Sequence, residues 1–263
     1  MDLQLSGKTA VVTGGSRGIG IAVVRHLLAE GMRVVSGSRT ITPELKETTA
    51  IPVSVDLSTP DGPRLLIDEA VRELGGIDLL VNNVGIGNTE DMMQGAVHTL
   101  ADLPDSAWEH TFNLHFYSAV RAIRAALPSL VERRGTIINV SSAGARIVSA
   151  GPFDYNVSKA ALNALTKVVA EQFGPRGVRA ITISPGPVST ETWTSPDGLV
   201  ATLAKENGVS HEEFAGQIMG LLNTSTGRMS TPDEVARLIT FAAAPNNITG
   251  AEFLIDGGAV KNA

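Results

Sequence analysis

An apolar, β-branched run, Thr9-Ala10-Val11-Val12-Thr13, ends directly in Gly14-Gly15-Ser16-Arg17-Gly18-Ile19-Gly20, and helical periodicity continues over 18–30. Strand, glycine turn and helix in immediate succession constrain the fold more than any other feature of the chain. Gly14 permits the tight turn, Gly18 lets the backbone approach a ligand, and Gly20 lets the helix pack on the strand. The freed N–H groups and the positive dipole end at the helix start suit anionic phosphates. A glycine cluster alone also fits an ordinary strand-to-helix turn. Its placement between strand and helix is what points to a dinucleotide pyrophosphate.

The same alternation runs through the rest of the chain. Strands are expected at 9–13, 33–37, 51–55, 78–82, 135–140, 178–184 and 251–255, with helical stretches near 18–30, 62–74, 105–133, 154–173 and 232–243. Several strands are continuous apolar runs, as in a parallel sheet covered on both faces. Repeated βαβ units with right-handed crossovers predict an α/β fold with a doubly wound sheet in three layers. A length of 263 residues admits one or two domains, but no linker, composition break or internal repeat divides the chain. A single domain over 1–263 is expected. The segment 187–228 fits least well, being rich in Thr, Ser, Gly and Asn and only weakly periodic around 198–222. It follows the strand at 178–184, and ligands in open α/β sheets sit beyond the carboxyl ends of strands. It is therefore read as a substrate lid, against the plainer alternative of a solvated surface excursion.

Charge and cysteine content exclude several classes. There are 21 basic against 27 acidic residues, a net of −6 and a pI near 5.4, with no Lys/Arg cluster, which argues against nucleic acid as a partner. The absence of cysteine removes disulfide frameworks, cysteine-based zinc sites and thiol nucleophiles. His98, His110 and His115 lack metal-ligand spacing, and His211-Glu212 does not complete a metalloprotease motif, so no metal site is expected. No apolar stretch approaches the ~20 residues of a membrane helix, and Met1-Asp2-Leu3-Gln4 does not open like a signal peptide. The expectation is a soluble, cytoplasmic protein with no membrane partner.

Cofactor choice is read at the end of the second strand. An NAD-binding chain places Asp or Glu there for the ribose 2′-OH, whereas this one has Ser38 and Arg39, with Glu44 the next acidic residue. Guanidinium groups bind a 2′-phosphate that a carboxylate would repel. Arg17 in the turn can approach the same phosphate, although both arginines also fit ordinary surface positions. NADP(H) is expected over NAD(H).

A second constellation is Tyr155-Asn156-Val157-Ser158-Lys159. Its i, i+4 spacing puts phenol and ammonium on one helix face. A nearby cation favours the phenolate and should lower the tyrosine pKa, readying it for proton exchange with a substrate oxygen. Ser142, at the carboxyl end of the strand 135–140, can hold the same oxygen. Taken alone, such a pair also fits a half-buried tyrosine and a solvated lysine. Met92, Met93 and Trp193 are candidates for an apolar substrate wall, with core or lid packing an equal alternative.

TGGSRGIG at 13–20, NNVG at 82–85, Asn113, Ser142, YNVSK at 155–159, PGPVST at 185–190 and ITGAEFLIDGG near the end together resemble the short-chain dehydrogenase/reductase family over essentially the whole chain. The resemblance implies a seven-stranded parallel Rossmann sheet and reversible hydride transfer between NAD(P) and an alcohol/carbonyl pair. It implies Tyr155 as general acid/base, Ser142 as orienter of the substrate oxygen, Lys159 as modulator of the phenol and ribose ligand, and Asn113 as holder of a water leading from Lys159 to solvent. It extends cofactor contacts to Ser16 and Ile19 in the turn, Asp56 and Leu57 at the adenine, Asn83 and Gly85 beside the adenosine ribose, and Val188 and Thr190 at the carboxamide. Val84 replaces the usual alanine of the NNAG motif, and the stretch between Gly85 and Asn113 is longer than usual, with 89–98 placed to line or cover the pocket. The substrate implied is a small ketone or secondary alcohol, a 3-oxoacyl thioester, or a cyclic or steroid-like carbonyl. Family relatives suggest a homo-oligomer, tetramer or dimer, packed through 105–133 and 154–173. Two other functions remain open: an epimerase or dehydratase on the same sheet, and a non-catalytic NADP(H)-sensing protein.

Overall fold

The computed structural model describes residues 2–85, 99–147 and 152–261. Seven strands form one sheet: β1 (Thr9–Thr13), β2 (Arg33–Ser38), β3 (Ile51–Ser54), β4 (Leu79–Asn82), β5 (Thr136–Val140), β6 (Arg179–Pro185) and β7 (Glu252–Ile255). Their spatial order is β3-β2-β1-β4-β5-β6-β7, and every pair is parallel. The expected α/β doubly wound sheet is thus present, and each strand lies within one residue of its expected limits. The order reverses between β1 and β4, the position at which such sheets open a crevice for ligands.

Alternate residues of each strand enter opposite cores. Ala10 and Val12 of β1 pack with Val81, Ile138 and Ile183 on one face, while Val11 joins Val35, Leu80 and Ile137 on the other. The first core is covered by α1 (Gly18–Ala29) and by the helix Pro232–Ala243. The second is covered by α3 (Gly62–Leu74) and by the helices before and after β5. A helix of one turn, α2 (Pro43–Lys46), was not expected; Thr42 caps it by accepting the Leu45 N–H. The helix ahead of β7 begins as its sequence dictates. Thr231 accepts the Glu234 N–H, the Glu234 carboxylate accepts the Thr231 N–H, and Pro232 occupies the first turn.

Two stretches differ from expectation. The helical pattern over 105–133 is interrupted: α4 (Asp105–Phe112) passes into a π-helical segment, Asn113–Tyr117, before α5 (Ser118–Arg133). In that segment the Ser118 N–H reaches back to the Asn113 carbonyl, so one extra residue is wound into the turn. The helix after β5, α6, runs from Phe153 to Phe173. The excursion after β6 carries three helices, α7 (Glu191–Thr194), α8 (Leu199–Glu206) and α9 (His211–Leu222), and α10 is Pro232–Ala243. No residue of α9 is fully buried. A helix with no buried stripe leaves only a faint periodicity in its sequence. Among the described residues, no helix is long and apolar enough to cross a membrane.

Candidate active site

At the carboxyl ends of β1, β2, β4 and β5 the chain encloses a cleft of about 490 Å³. Its floor is the glycine turn. Gly14 and Gly18 have positive φ, 69° and 52°. A Cβ on Gly20 would collide with the Gly14 carbonyl, so helix α1 can lie this close to β1 only with glycine there. Arg17, the residue before α1, is extended and offers no side-chain cap, and the first turn carries no acidic group. The N–H groups at the head of α1 are left for an exogenous anion, which is the fit a pyrophosphate requires.

The neighbouring loop is tied to this turn. The Thr13 hydroxyl accepts the N–H groups of Asn83 (2.9 Å) and Val84 (3.0 Å), and Asn83 Nδ2 donates to the Thr13 and Gly14 carbonyls. At the outer end of the cleft, the Ser16 and Ser38 hydroxyls lie within hydrogen-bond distance of each other and of the Thr40 carbonyl, one donating to the carbonyl and the other to its neighbour. Arg17 and Arg39 line the same end, and Arg17 lies 3.7 Å from Glu191 of α7. Asp56 accepts the Ser58 N–H and hydroxyl. Burial alone would raise its pKa, but those two bonds and then the Arg39 charge leave it below the ordinary carboxylate range.

The inner end is built on α6. Ser141 Oγ donates to the Lys159 carbonyl (3.1 Å), pinning the helix to the end of β5. Deeper, Asn82, Asn139 and Thr182 stand opposite one another on β4, β5 and β6. Asn82 donates to Asn139, while Asn139 Nδ2 (2.9 Å) and the Thr182 hydroxyl (2.7 Å) both donate to Thr166 of α6. These polar residues escaped the sequence reading; asparagine inside two apolar strands was the available signal. The ladder fixes how α6 is rotated against the sheet.

That rotation directs Tyr155 and Lys159 into the cleft together with Ser142. Ser142 accepts the Gly144 N–H, capping a 3₁₀ turn, and hydrogen-bonds the Tyr155 phenol. Lys159 is buried, its Nζ donating to the Val140 carbonyl (3.0 Å) and lying 5.6 Å from the Tyr155 ring centroid. Burial pushes the lysine down to about 8. The phenol departs from the expectation of a lowered pKa: burial raises it, and the Ser142 hydrogen bond offsets only part of that rise. Desolvation disfavours phenolate and ammonium alike, an effect that helical spacing does not reveal.

All the residues expected to touch a cofactor line this cleft: Gly14, Ser16, Arg17, Gly18, Ile19 and Gly20 of the turn, Ser38, Arg39, Asp56, Leu57, Asn83, Gly85, Tyr155, Lys159, Val188 and Thr190. Trp193 lines it too, whereas Met92, Met93, His98 and the segment 89–98 lie outside the described residues. Asn113 does not line it. Its amide donates to the Glu109 carbonyl (2.9 Å) and accepts from Arg121 (3.0 Å). His115, which the sequence marks only as lacking metal-ligand spacing, is buried with its ring centroid 5.1 Å from that of Tyr155. Among the described residues no group of His, Asp or Glu could hold a metal ion.

Comparison with known proteins agrees with this arrangement. The family model for short chain dehydrogenases matches residues 8–197. A 3-alpha-(or 20-beta)-hydroxysteroid dehydrogenase of Mycobacterium tuberculosis is 31% identical, over 99% of this chain and 92% of the relative. An L-fucose dehydrogenase of Mus musculus is 35% identical over 97% and 89%. Among solved structures, L-sorbose reductase from Gluconobacter frateurii, in complex with NADPH and L-sorbose, superposes with a TM-score of 0.88 at 29% identity over the full length of both chains. The chain belongs to the short chain dehydrogenase family and is an oxidoreductase acting on alcohol and carbonyl groups.

Proposed function

We propose that the protein is an NADP(H)-dependent oxidoreductase that interconverts a ketone and a secondary alcohol, with cyclic substrates of the steroid or sugar kind the favoured class. The observation that carries this reading is the meeting of Ser142, Tyr155 and Lys159 at the inner end of a cleft whose floor is an uncapped helix N-terminus. NADP(H) is preferred because the end of β2 offers Ser38 and Arg39, with no carboxylate, and Arg17 lines the same end. The L-sorbose reductase and a blue fluorescent protein from a metagenomic library, 30% identical, were both solved with NADPH. The turn and Asn83 would hold the dinucleotide, and Lys159, Val188 and Thr190 its nicotinamide half.

The bound nicotinamide supplies or accepts the hydride. Everything else falls to the chain. A phenol held above its ordinary pKa is protonated near neutrality, so Tyr155 is poised to donate its proton to a carbonyl oxygen. The Ser142 hydroxyl, already bonded to the phenol, orients that oxygen. Lys159, charged below about 8, favours the phenolate left behind. The segment 187–228 acts as the lid over the substrate, with Trp193 on its inner side. The chain works as one domain and as a homo-oligomer in which the exposed Tyr117, Val157 and Val168 of the π segment and α6 meet a second copy.

The test follows NADPH and NADH oxidation against cyclic ketones, ketoses and acyl thioesters, in the parent and in Tyr155→Phe. Turnover with NADPH that falls about 10²–10⁴-fold in the variant, with cofactor binding retained, is expected. Equal turnover in the variant removes Tyr155 from the chemistry.

A further inference from the structure

His115 stands beside the acid–base pair with a capacity that the reaction above does not use. It lies in the π-helical segment Asn113–Tyr117 and is 4% exposed. Its ring plane crosses that of Tyr155 at 85°. Its Nδ1 is enclosed and has no hydrogen-bond partner among the described residues. An enclosed polar atom without a partner is unfavourable, and a buried water is the usual remedy where a second polar group is in reach. Lys159 flanks the same Tyr155 ring and has donors to offer. Its ammonium carries three donors, and among the described residues it spends one, on the Val140 carbonyl. The His115 ring that carries this atom has its centroid 5.1 Å from that of Tyr155, and the Lys159 Nζ, with donors to spare, lies 5.6 Å from the same centroid.

We propose that His115 is a positioning residue: through one water between its Nδ1 and the Lys159 ammonium, it holds the lysine charge against the Tyr155 phenol. This rests on the reading of Tyr155 and Lys159 as the acid–base pair. The Asn113 amide, committed to Glu109 and Arg121, is not available for that task. The imidazole is suited to it. Burial first, then the charges of Lys159 and His110, hold His115 well below the ordinary imidazole range, so the ring is neutral near neutrality, and the tautomer with its proton on Nε2 offers Nδ1 as an acceptor. On the neighbouring elements, Asp154 of α6 accepts the Thr111 hydroxyl with one carboxylate oxygen while its other oxygen is buried without a partner among the described residues, and Arg121 of α5 donates to Asn113 and to the Ser58 and Thr59 carbonyls.

Two substitutions separate positioning from packing. His115→Phe keeps a ring against Tyr155 and removes the acceptor; His115→Asn removes the ring and leaves an amide oxygen near the place of Nδ1. Lys159 is read directly by the 15N chemical shift of its Nζ in cofactor-free protein, assigned by difference from Lys159→Met, over the range around pH 8 in which it titrates. His115→Phe is expected to weaken the hold on the ammonium charge, lowering the Lys159 titration by about one pH unit and lowering kcat by up to about tenfold above pH 8 with the cofactor KM unchanged. His115→Asn should return both towards parental values. Parental behaviour in His115→Phe, or equal displacement in both variants, overturns the proposal. Should the phenylalanine variant not fold, His115→Asn decides alone, a parental Lys159 titration supporting the proposal and a displaced one overturning it. If the parent turns over no carbonyl, the functional reading fails, while the Lys159 titration still decides the role of His115.

Discussion

Replacing Lys159 by methionine should stabilise the cofactor-free protein while abolishing turnover. The lysine is buried and held at about 8, against 10.5 for the free side chain. That gap corresponds to about 3 kcal/mol opposing folding wherever the folded protein must carry the charge. Below about 8 both states are protonated and the full penalty applies. Between about 8 and 10.5 the unfolded chain holds a proton that the folded one has released, so parental stability rises with pH across this window. Above 10.5 the penalty is gone. Methionine removes it at every pH, but leaves the Val140 carbonyl without its lysine donor, a loss of about 1 kcal/mol. The net expectation is a gain of about 2 kcal/mol near neutrality that becomes a loss of about 1 kcal/mol above 10.5. Urea denaturation of parent and variant at a series of pH values reads the difference as a change in midpoint at common slope. A variant less stable near neutrality, or an increment that does not decay with pH, refutes the reasoning.

Two further outcomes follow from the cofactor cleft and the polar ladder. Arg39→Glu should weaken NADPH binding by about ten- to hundredfold while affecting NADH far less, because a charge-assisted bond to the 2′-phosphate is exchanged for repulsion; equal losses for the two cofactors in fluorescence titrations would show that Arg39 does not select between them. Thr166→Val leaves the Asn139 amide and the Thr182 hydroxyl without their acceptor, which should cost about 3 kcal/mol in denaturation midpoints. A loss under about 0.5 kcal/mol would show that the ladder is dispensable.

The legible parts of the molecule are those whose determinants lie close together in sequence. The glycine turn is a contiguous strand, bend and helix, and Tyr155 and Lys159 share a helix face by spacing alone. The strand limits followed from apolar runs bounded by polar residues. What escaped depends on distant partners. The residue wound into the π segment barely changes the spacing of apolar positions over 105–133, so the pattern still reads as one helix. The alignment of Asn82, Asn139 and Thr182 exists only once three strands are in register. The phenol pKa was misjudged because helical spacing places the cation but says nothing of how far the sheet and the preceding helices exclude water. His115 escaped for the same reason, its partner Tyr155 lying on another helix.

The two ends of the cleft are held by different forces, and this bears on how such a site can change its substrate without losing its chemistry. The inner end inherits its geometry from the sheet: Ser141 fixes the Lys159 backbone, and the ladder through Asn139 to Thr166 fixes the rotation of α6, all through buried bonds. Buried hydrogen-bond networks resist rearrangement, since each bond broken leaves a further unpaired group in a medium of low dielectric. The outer end is joined to the excursion after β6 by contacts of another kind. Thr190 would be met by any side chain placed at Gly18, and Arg17 faces Glu191 across 3.7 Å with both side chains more than half exposed. Exposed pairs of this sort contribute little to stability, so they can be remade at small cost. Residues 187–228 can therefore vary in sequence and position while the Ser142, Tyr155 and Lys159 geometry stays anchored to the sheet. This division is consistent with similarity to steroid and sugar dehydrogenases in one chain.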